Sequence, residues 1–225
     1  MNIIISDNPI KLGIYKMKYL DLIKELRKRK YFIFSLNDLY ILFPGINKKT
    51  LQNQLTEWGL KRYIVRLKRD LYELAEKDSR DNIIPDIAIA QRLYFPSYVS
   101  CETALSIYAL IPETAFGVTS VTTKPTRTFK NIHGLFMYYS CQPRVYTGYY
   151  VKEYSGYTVA LAEKEKALVD FIYFRFRGKK PEFKSLRFDR DQFCSLRWKK
   201  VSGYSKLYNQ HIVHITQELK EYLQC

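Results

Sequence analysis

Residues 47 to 74 read NKKTLQNQLTEWGLKRYIVRLKRDLYEL, and this stretch decides how the first third of the chain is expected to fold. Asn47 stands where a side-chain oxygen can accept from the free N–H groups of a first helical turn, and Gly59 stands where a helix can stop. Between them Leu51, Leu55 and Trp58 fall in one narrow sector at helical periodicity, which turns that sector toward a core. Lys49, Gln52, Asn53 and Thr56 occupy the opposite sector, flanked by Lys48 and Glu57. That face offers hydrogen-bonding groups rather than the Glu and Lys pairs of a merely solvated helix. Tyr63, Val65 and Leu67 then alternate with Ile64, Arg66 and Lys68, and Lys68-Arg69-Asp70 turns the chain into Leu71-Tyr72-Glu73-Leu74, which predicts a basic β-hairpin.

Two more helices precede this stretch. Tyr19, Leu20, Ile23 and Leu26 recur at helical spacing with basic residues on the other faces, so residues 17 to 30 read as amphipathic. Ser35, with Asp38 three positions on, caps a short helix that Pro44 and Gly45 end. Three helices followed by a basic hairpin is the order of a winged helix-turn-helix, in which the third helix enters the major groove and the wing lies near phosphate. Residues 47 to 69 hold seven basic residues and one acid. Lysine and arginine displace condensed counterions, and Gln or Asn can pair with adenine edges. The expected DNA-binding set is Lys48, Lys49, Thr50, Gln52, Asn53, Thr56, Arg66, Lys68 and Arg69, with Gln52 and Asn53 as base readers. A solvated basic face, or a winged helix used for protein contact, is the competing reading.

The whole chain of 225 residues carries 37 Lys plus Arg against 22 Asp plus Glu, a formal charge of +15 that favours an acidic partner. Apolar residues at 47% and charged residues at 26% suit a folded protein with a substantial core. The longest apolar runs, such as Ile3 to Ile5 and Val159 to Ala162, are far short of the roughly 20 residues that span a bilayer. With no basic start and long apolar run of a signal peptide, the expected location is cytoplasmic. Cys101, Cys141, Cys194 and Cys225 are widely separated without a CxxC pair, and are expected as free thiols. His211 and His214 could share a helix face, but no nearby cysteine completes a zinc site, so neither metal nor cofactor is expected.

The polar run EKDSRDN, Glu76 to Asn82, divides the chain into expected domains 1–80 and 81–225. The second reads as mixed α and β. Helices are expected at Ile83 to Leu93 and Cys101 to Ile111, and strands at Val118 to Thr123, Leu135 to Cys141, Val145 to Tyr150 and Tyr157 to Ala160. A helix from Leu161 to about Phe174 should expose Glu163, Lys164, Glu165 and Lys166. A basic, loop-like stretch from Arg175 to Lys200 leads to a last helix over about residues 203 to 223. The fold class is therefore α+β, a winged helix-turn-helix followed by a mixed domain with a small, mainly antiparallel sheet.

Seven tyrosines between Tyr138 and Tyr157 suit cross-strand packing more than base stacking. Lys124, Arg127 and Lys130 sit in or just after a Thr-rich connection, and either extend the electropositive surface or mark a solvated loop. No phosphate-cradling glycine loop, HExxH or GxSxG is present, so no enzyme is expected. The nearest approach to a metal-dependent nuclease is Asp170 with Glu182 and Lys184, which nothing sets on a common rigid strand.

Three segments carry a family resemblance beyond YIVRLKRDLYEL: YVSCETALSIYALIPE (98–113), VTSVTTKPTRTF (118–129) and VALAEKEKALVDFIYF (159–174). Joined to the capped polar helix, the pattern resembles the AbiEi family of bacterial antitoxins, the regulatory half of type IV toxin and antitoxin pairs in abortive infection. The resemblance implies a transcriptional autorepressor whose winged helix binds promoter repeats in double-stranded DNA. It further implies an antitoxin domain that counters a nucleotidyltransferase toxin without a stable complex. The family's wing usually carries a glycine, where this chain has Lys68-Arg69-Asp70-Leu71. Without a heptad or an apolar dimer helix, a monomer that pairs only on DNA is expected. The alternative from another class is an adaptor whose C-terminal domain binds a protein directly.

Overall fold

Leu22 and Leu26, one helical turn apart, are fully buried on α1 (Tyr19–Lys28), while the basic residues of its last turn face water. A computed structural model describes residues 16–75, 84–112, 116–179, 181–186 and 189–225. The chain divides into two units, Met1–Asn82 and Ile83–Cys225. The connection expected at Glu76 to Asn82 lies outside the described residues.

In the first unit, α1 is followed by β1 (Ile33–Ser35), α2 (Leu36–Leu42), α3 (Lys48–Leu60), β2 (Ile64–Lys68) and β3 (Leu71–Leu74). The Ser35 backbone N–H donates to Asp38 Oδ2 at 2.7 Å and the Asp38 N–H donates to Ser35 Oγ at 3.1 Å, a reciprocal capping box that starts α2. β1 was not legible in the sequence, since three residues are too few for an alternating pattern. It joins the hairpin as a third antiparallel strand in the order β1-β3-β2. Phe34 of β1 is buried with Leu39, Leu51, Leu55, Trp58 and Ile64 in one core.

The hairpin departs from the expected strict alternation. Ile64 and Leu67, three residues apart, are both buried, because the pairing with β3 shifts register between Arg66 and Lys68. The extra residue of a bulge turns Leu67 inward and leaves Arg66 outside.

The second unit contains α4 (Asp86–Leu93), β4 (Tyr98–Val99), α5 (Cys101–Ile107), β5 (Val118–Thr122), β6 (Arg127–Asn131), β7 (Gly134–Ser140), β8 (Tyr149–Tyr154), β9 (Tyr157–Ala162), α6 (Lys164–Phe176), α7 (Arg190–Cys194), α8 (Trp198–Tyr208) and α9 (Gln210–Leu223). Its sheet is six-stranded, in the order β6-β7-β5-β4-β9-β8. Two of its pairings, β4 with β9 and β5 with β7, are parallel, so the sheet is larger and more mixed than expected. The Thr-rich connection is in fact β5 running into the edge strand β6. The strand expected at Val145 begins instead at Tyr149, after a 3-10 turn at Pro143–Val145. Leu161 and Ala162 belong to β9, not to the following helix. Gly148, at φ +74°, leads the chain from the 3-10 turn into β8 close to Tyr204, whose ring lies 2.7 Å from where a Cβ would stand.

The C-terminal region also differs from expectation. The supposed loop Arg175 to Lys200 contains the end of α6, the short helix α7 and the start of α8. The single last helix is two, broken at Asn209, whose backbone is extended and whose Oδ1 accepts from the Ile212 N–H at 3.0 Å. Cys194 and Cys225 form a disulfide, contrary to the expectation of four free thiols, while Cys101 and Cys141 are free and buried. A separation of 31 residues carries no local signal, and only the packing of α7 against α9 brings the two sulfurs together.

The largest correction falls on α6. Glu165 and Lys166, expected at the surface, are 4% and 0% exposed. This helix packs against α5, α8, α9 and β9, so nearly every side from Glu165 to Ile172 is covered. Lys166 Nζ donates to Asp170 Oδ1 and lies over the rings of Tyr98 and Tyr208, at 5.5 and 5.0 Å from their centroids. Asp170 also accepts from Tyr98 at 2.9 Å, from Ser100 at 2.7 Å and from the Tyr208 hydroxyl. Burial first, then the Asp170 charge, push both phenols far above their ordinary value, so they remain O–H donors. Glu165 accepts from Arg197 Nε at 3.0 Å. Burial pushes its carboxyl up, but the bonds from Arg197 and the backbone outweigh burial and hold it below its usual value.

Candidate nucleic-acid interface

The start of α3 is set by Asn47, whose Oδ1 accepts from the backbone N–H groups of Lys49 at 2.9 Å and Thr50 at 3.2 Å. Leu51, Leu55 and Trp58 are buried beneath it, as their spacing requires. Gln54, which the sequence reading left unassigned, is buried too. Its amide clamps the chain before α1, accepting from the Met17 N–H at 3.2 Å and donating to the Met17 carbonyl at 2.5 Å. On the same side Tyr19 stacks on Tyr63 with ring centroids 4.6 Å apart, and its hydroxyl donates to the Tyr63 carbonyl at 2.9 Å. The core face of α3 is thus fixed by apolar burial and by a polar clamp, which sets what the other face presents.

That other face is exposed at Lys48, Lys49, Gln52, Asn53 and Thr56. Lys49, Gln52, Asn53 and Thr56 share about 100° of the helix circumference. The Thr56 hydroxyl is engaged with the Gln52 carbonyl at 2.9 Å, so it contributes its methyl group and its remaining acceptor capacity outward. Thr50 is half-buried and lies between the polar and apolar sectors, apart from the residues with which it was grouped. Glu57, the single acid of this helix, receives Lys61 at 2.6 Å and Lys16 at 3.9 Å. The hydrogen bond and charge of Lys61, and then the charge of Lys16, hold its carboxyl below the ordinary value. Its negative charge is therefore matched within the protein.

The hairpin supplies a second basic element of the same unit. Arg66 and Arg69 are exposed, and Lys68 is half-buried beside the bulge. Arg66 Nε donates to the Lys68 carbonyl at 3.3 Å, which engages one of its five donors and leaves four. Asp70 occupies the left-handed region at φ +60°, and its carboxylate stands 3.7 Å from Arg69 Nε. An acid here opposes the approach of phosphate, and a left-handed residue is cheapest as glycine. Asp70→Gly is expected to tighten binding to duplex DNA about 3- to 10-fold at low salt, since it removes one repelling charge and keeps the turn. Unchanged affinity in a fluorescence anisotropy titration would eliminate Asp70 as a counterweight at the tip.

Lys124, Arg127 and Lys130 of the second unit do not all face one way. Lys124 Nζ donates to the Phe95 carbonyl at 2.5 Å and lies 5.3 Å from the Tyr94 ring centre. Arg127 lies over Phe129 on β6, and Lys130, three residues along the same strand, faces the opposite side. Most of the clustered tyrosines are spent on packing. Tyr138 is buried with its hydroxyl on the Ala90 carbonyl at 2.7 Å, and Tyr149 stacks on Tyr98.

The carboxylate set for metal-dependent cleavage does not come together. Asp170 is sealed in the core by four donors, whereas Glu182 and Lys184 are exposed in the segment around a 3-10 turn at Phe183–Ser185. Among the described residues no group of three or more His, Cys, Asp or Glu side chains is arranged to hold a metal ion, and no helix is long and apolar enough to cross a membrane. No protein-family model and no curated protein sequence matches this chain.

Proposed function

We propose that the chain is a sequence-specific DNA-binding transcription regulator whose first unit is a winged helix-turn-helix. The element order of that unit, and the pairing of β1 with the hairpin strand β3, support this fold. The observation that carries the reading is the outer face of α3. It is exposed, bears Lys49, Gln52, Asn53 and Thr56, and has its one acid neutralised by Lys61 and Lys16. With α3 in the major groove, Gln52 and Asn53 each have the donor and acceptor pair that matches adenine N6 and N7. Lys48 and Lys49, with Arg66, Lys68 and Arg69 of the wing, neutralise backbone phosphates and position the helix without reading sequence. The AbiEi resemblance of the sequence extends the proposal to an autorepressor and antitoxin, with a nucleotidyltransferase toxin as functional partner and the second unit as effector domain.

The test is fluorescence anisotropy with the DNA upstream of the chain's own coding sequence against a scrambled duplex, across a salt series. A clear preference that survives near-physiological salt is expected, and equal binding to both duplexes would overturn the regulator. Gln52→Ala and Asn53→Ala are each expected to reduce discrimination by about 1 to 3 kcal/mol. Loss of equal size on both duplexes would remove them from base reading. Arg69→Ala should instead weaken both duplexes alike and lower the salt slope by about one.

A further inference from the structure

The second unit has a cleft of about 540 Å³ beside the start of α5, strand β7 and the end of α6. This volume is in the range of small-molecule sites. Three kinds of group meet in it, and none of them has a part in the nucleic-acid interface.

The first is an aromatic wall. Tyr139 of β7 and Phe174 of α6 are both half-buried and stack with ring centroids 4.8 Å apart and planes 20° from parallel. The second is an acceptor without a donor. Glu102, in the first turn of α5, lines the cleft, and its Oε2 is shut off from solvent with no hydrogen-bond partner. A buried carboxylate oxygen left unpaired is costly, and this cost falls when a donor arrives. The side-chain torsions of a glutamate have several staggered wells, so a change of rotamer turns both carboxylate oxygens toward a group entering the cleft. The third is a pair of cations, Arg175 and Lys179, both exposed and neither ion-paired among the described residues, with the exposed Glu182 as the second carboxylate of the lining. The groups are close enough to influence one another. Burial, then the charge of Glu102, raise the Tyr139 phenol, and Arg175 opposes them.

We infer that this cleft binds a guanine nucleotide. A carboxylate only accepts, so its ligand must bring donors, and a bidentate fit needs two donors side by side. Guanine carries them on one edge, at N1–H and N2–H2. Adenine, cytosine and uracil each set an acceptor, a ring nitrogen or a carbonyl oxygen, beside the donor and would bring its lone pair against a carboxylate oxygen. A base held by Glu102 stacks against the aromatic wall, an interaction open to any planar ring, so the wall adds affinity while the carboxylate selects. Its phosphate then meets Arg175 and Lys179, which lie outside the apolar part of the cleft.

The experiment is isothermal titration calorimetry of the full chain with GMP, AMP and guanosine. Saturable GMP binding is expected, at least about tenfold tighter than AMP and about tenfold tighter than guanosine. Glu102→Gln should reverse the order of GMP and AMP, because a carboxamide offers the one donor and one acceptor that adenine matches. Arg175→Ala with Lys179→Ala, both at the surface, should lower GMP binding to the level of guanosine and leave guanosine itself unchanged. Absence of saturable heat with GMP up to about 5 mM would overturn the inference. Equal binding of GMP and AMP, or an equal loss of both in Glu102→Gln, would also overturn it.

Discussion

Lys166→Met is expected to lower the stability of the second unit by about 3 to 5 kcal/mol, the usual result of removing one partner from a buried ion pair. The methionine fits the space of the aliphatic stem, so the loss is chiefly electrostatic. Asp170 keeps the hydroxyls of Tyr98, Ser100 and Tyr208 but loses its only cation, in a site where both partners of the pair are 0% exposed. The two aromatic faces that flank the ammonium lose it as well. Of the two tryptophans, Trp58 lies in the first unit and Trp198 in the second, so a Trp58→Phe background makes Trp198 fluorescence in urea report on the second unit alone. A cost below about 1 kcal/mol would mean that the hydroxyls suffice to hold the carboxylate. The double variant Lys166→Met with Asp170→Leu should recover part of the loss, since no unmatched charge then remains inside.

Reducing the Cys194–Cys225 disulfide, or replacing Cys194 with Ser, is expected to lower the stability of the same unit by about 3 to 4 kcal/mol for a separation of 31 residues. The gain in chain entropy of the unfolded state is the source of this effect. The corner is held by more than the bond, since Arg190 donates to the Leu223 carbonyl and to Gln224 Oε1, both at 2.9 Å. These contacts belong to the folded state and leave the unfolded-state term intact. Urea midpoints with and without reductant test the figure, and coincident curves would refute it. DNA affinity should be unchanged on reduction, because the proposed interface lies wholly in the other unit.

The contrast between α3 and α6 explains how much was legible beforehand. On α3 one side packs and the other meets water, so Leu51, Leu55 and Trp58 mark the core by their spacing alone. The exception there is Gln54, whose clamp on Met17 is a contact between residues 37 apart and has no local signature. On α6 the covering elements surround the helix, and periodicity cannot separate an inner from an outer face. Glu163 to Lys166 were therefore assigned to the surface, although Lys166 pairs with Asp170 inside the fold and the buried Glu165 meets the exposed Arg197. The cleft between α5, β7 and α6 escaped for a similar reason. Glu102, Tyr139 and Arg175 lie on three elements far apart in the chain, and each is unremarkable where it stands in the sequence.

Caps, turns and one-sided helices are decided by neighbours within a few residues, so the sequence by itself determined α1, α2, α3 and the hairpin, and with them the polar face that the DNA proposal rests on. Strands β1, β4 and β6 were decided only in the tertiary structure, because a short strand is defined by the partner that satisfies its backbone rather than by its own pattern. The tertiary structure likewise decided the mixed sheet order, the disulfide and the sealed Lys166–Asp170 pair. The sheet and the disulfide join residues that only packing brings together, whereas Lys166 and Asp170 are helix neighbours four apart that packing seals from water. The cost of a buried charge or an open backbone group is settled by what packs against it.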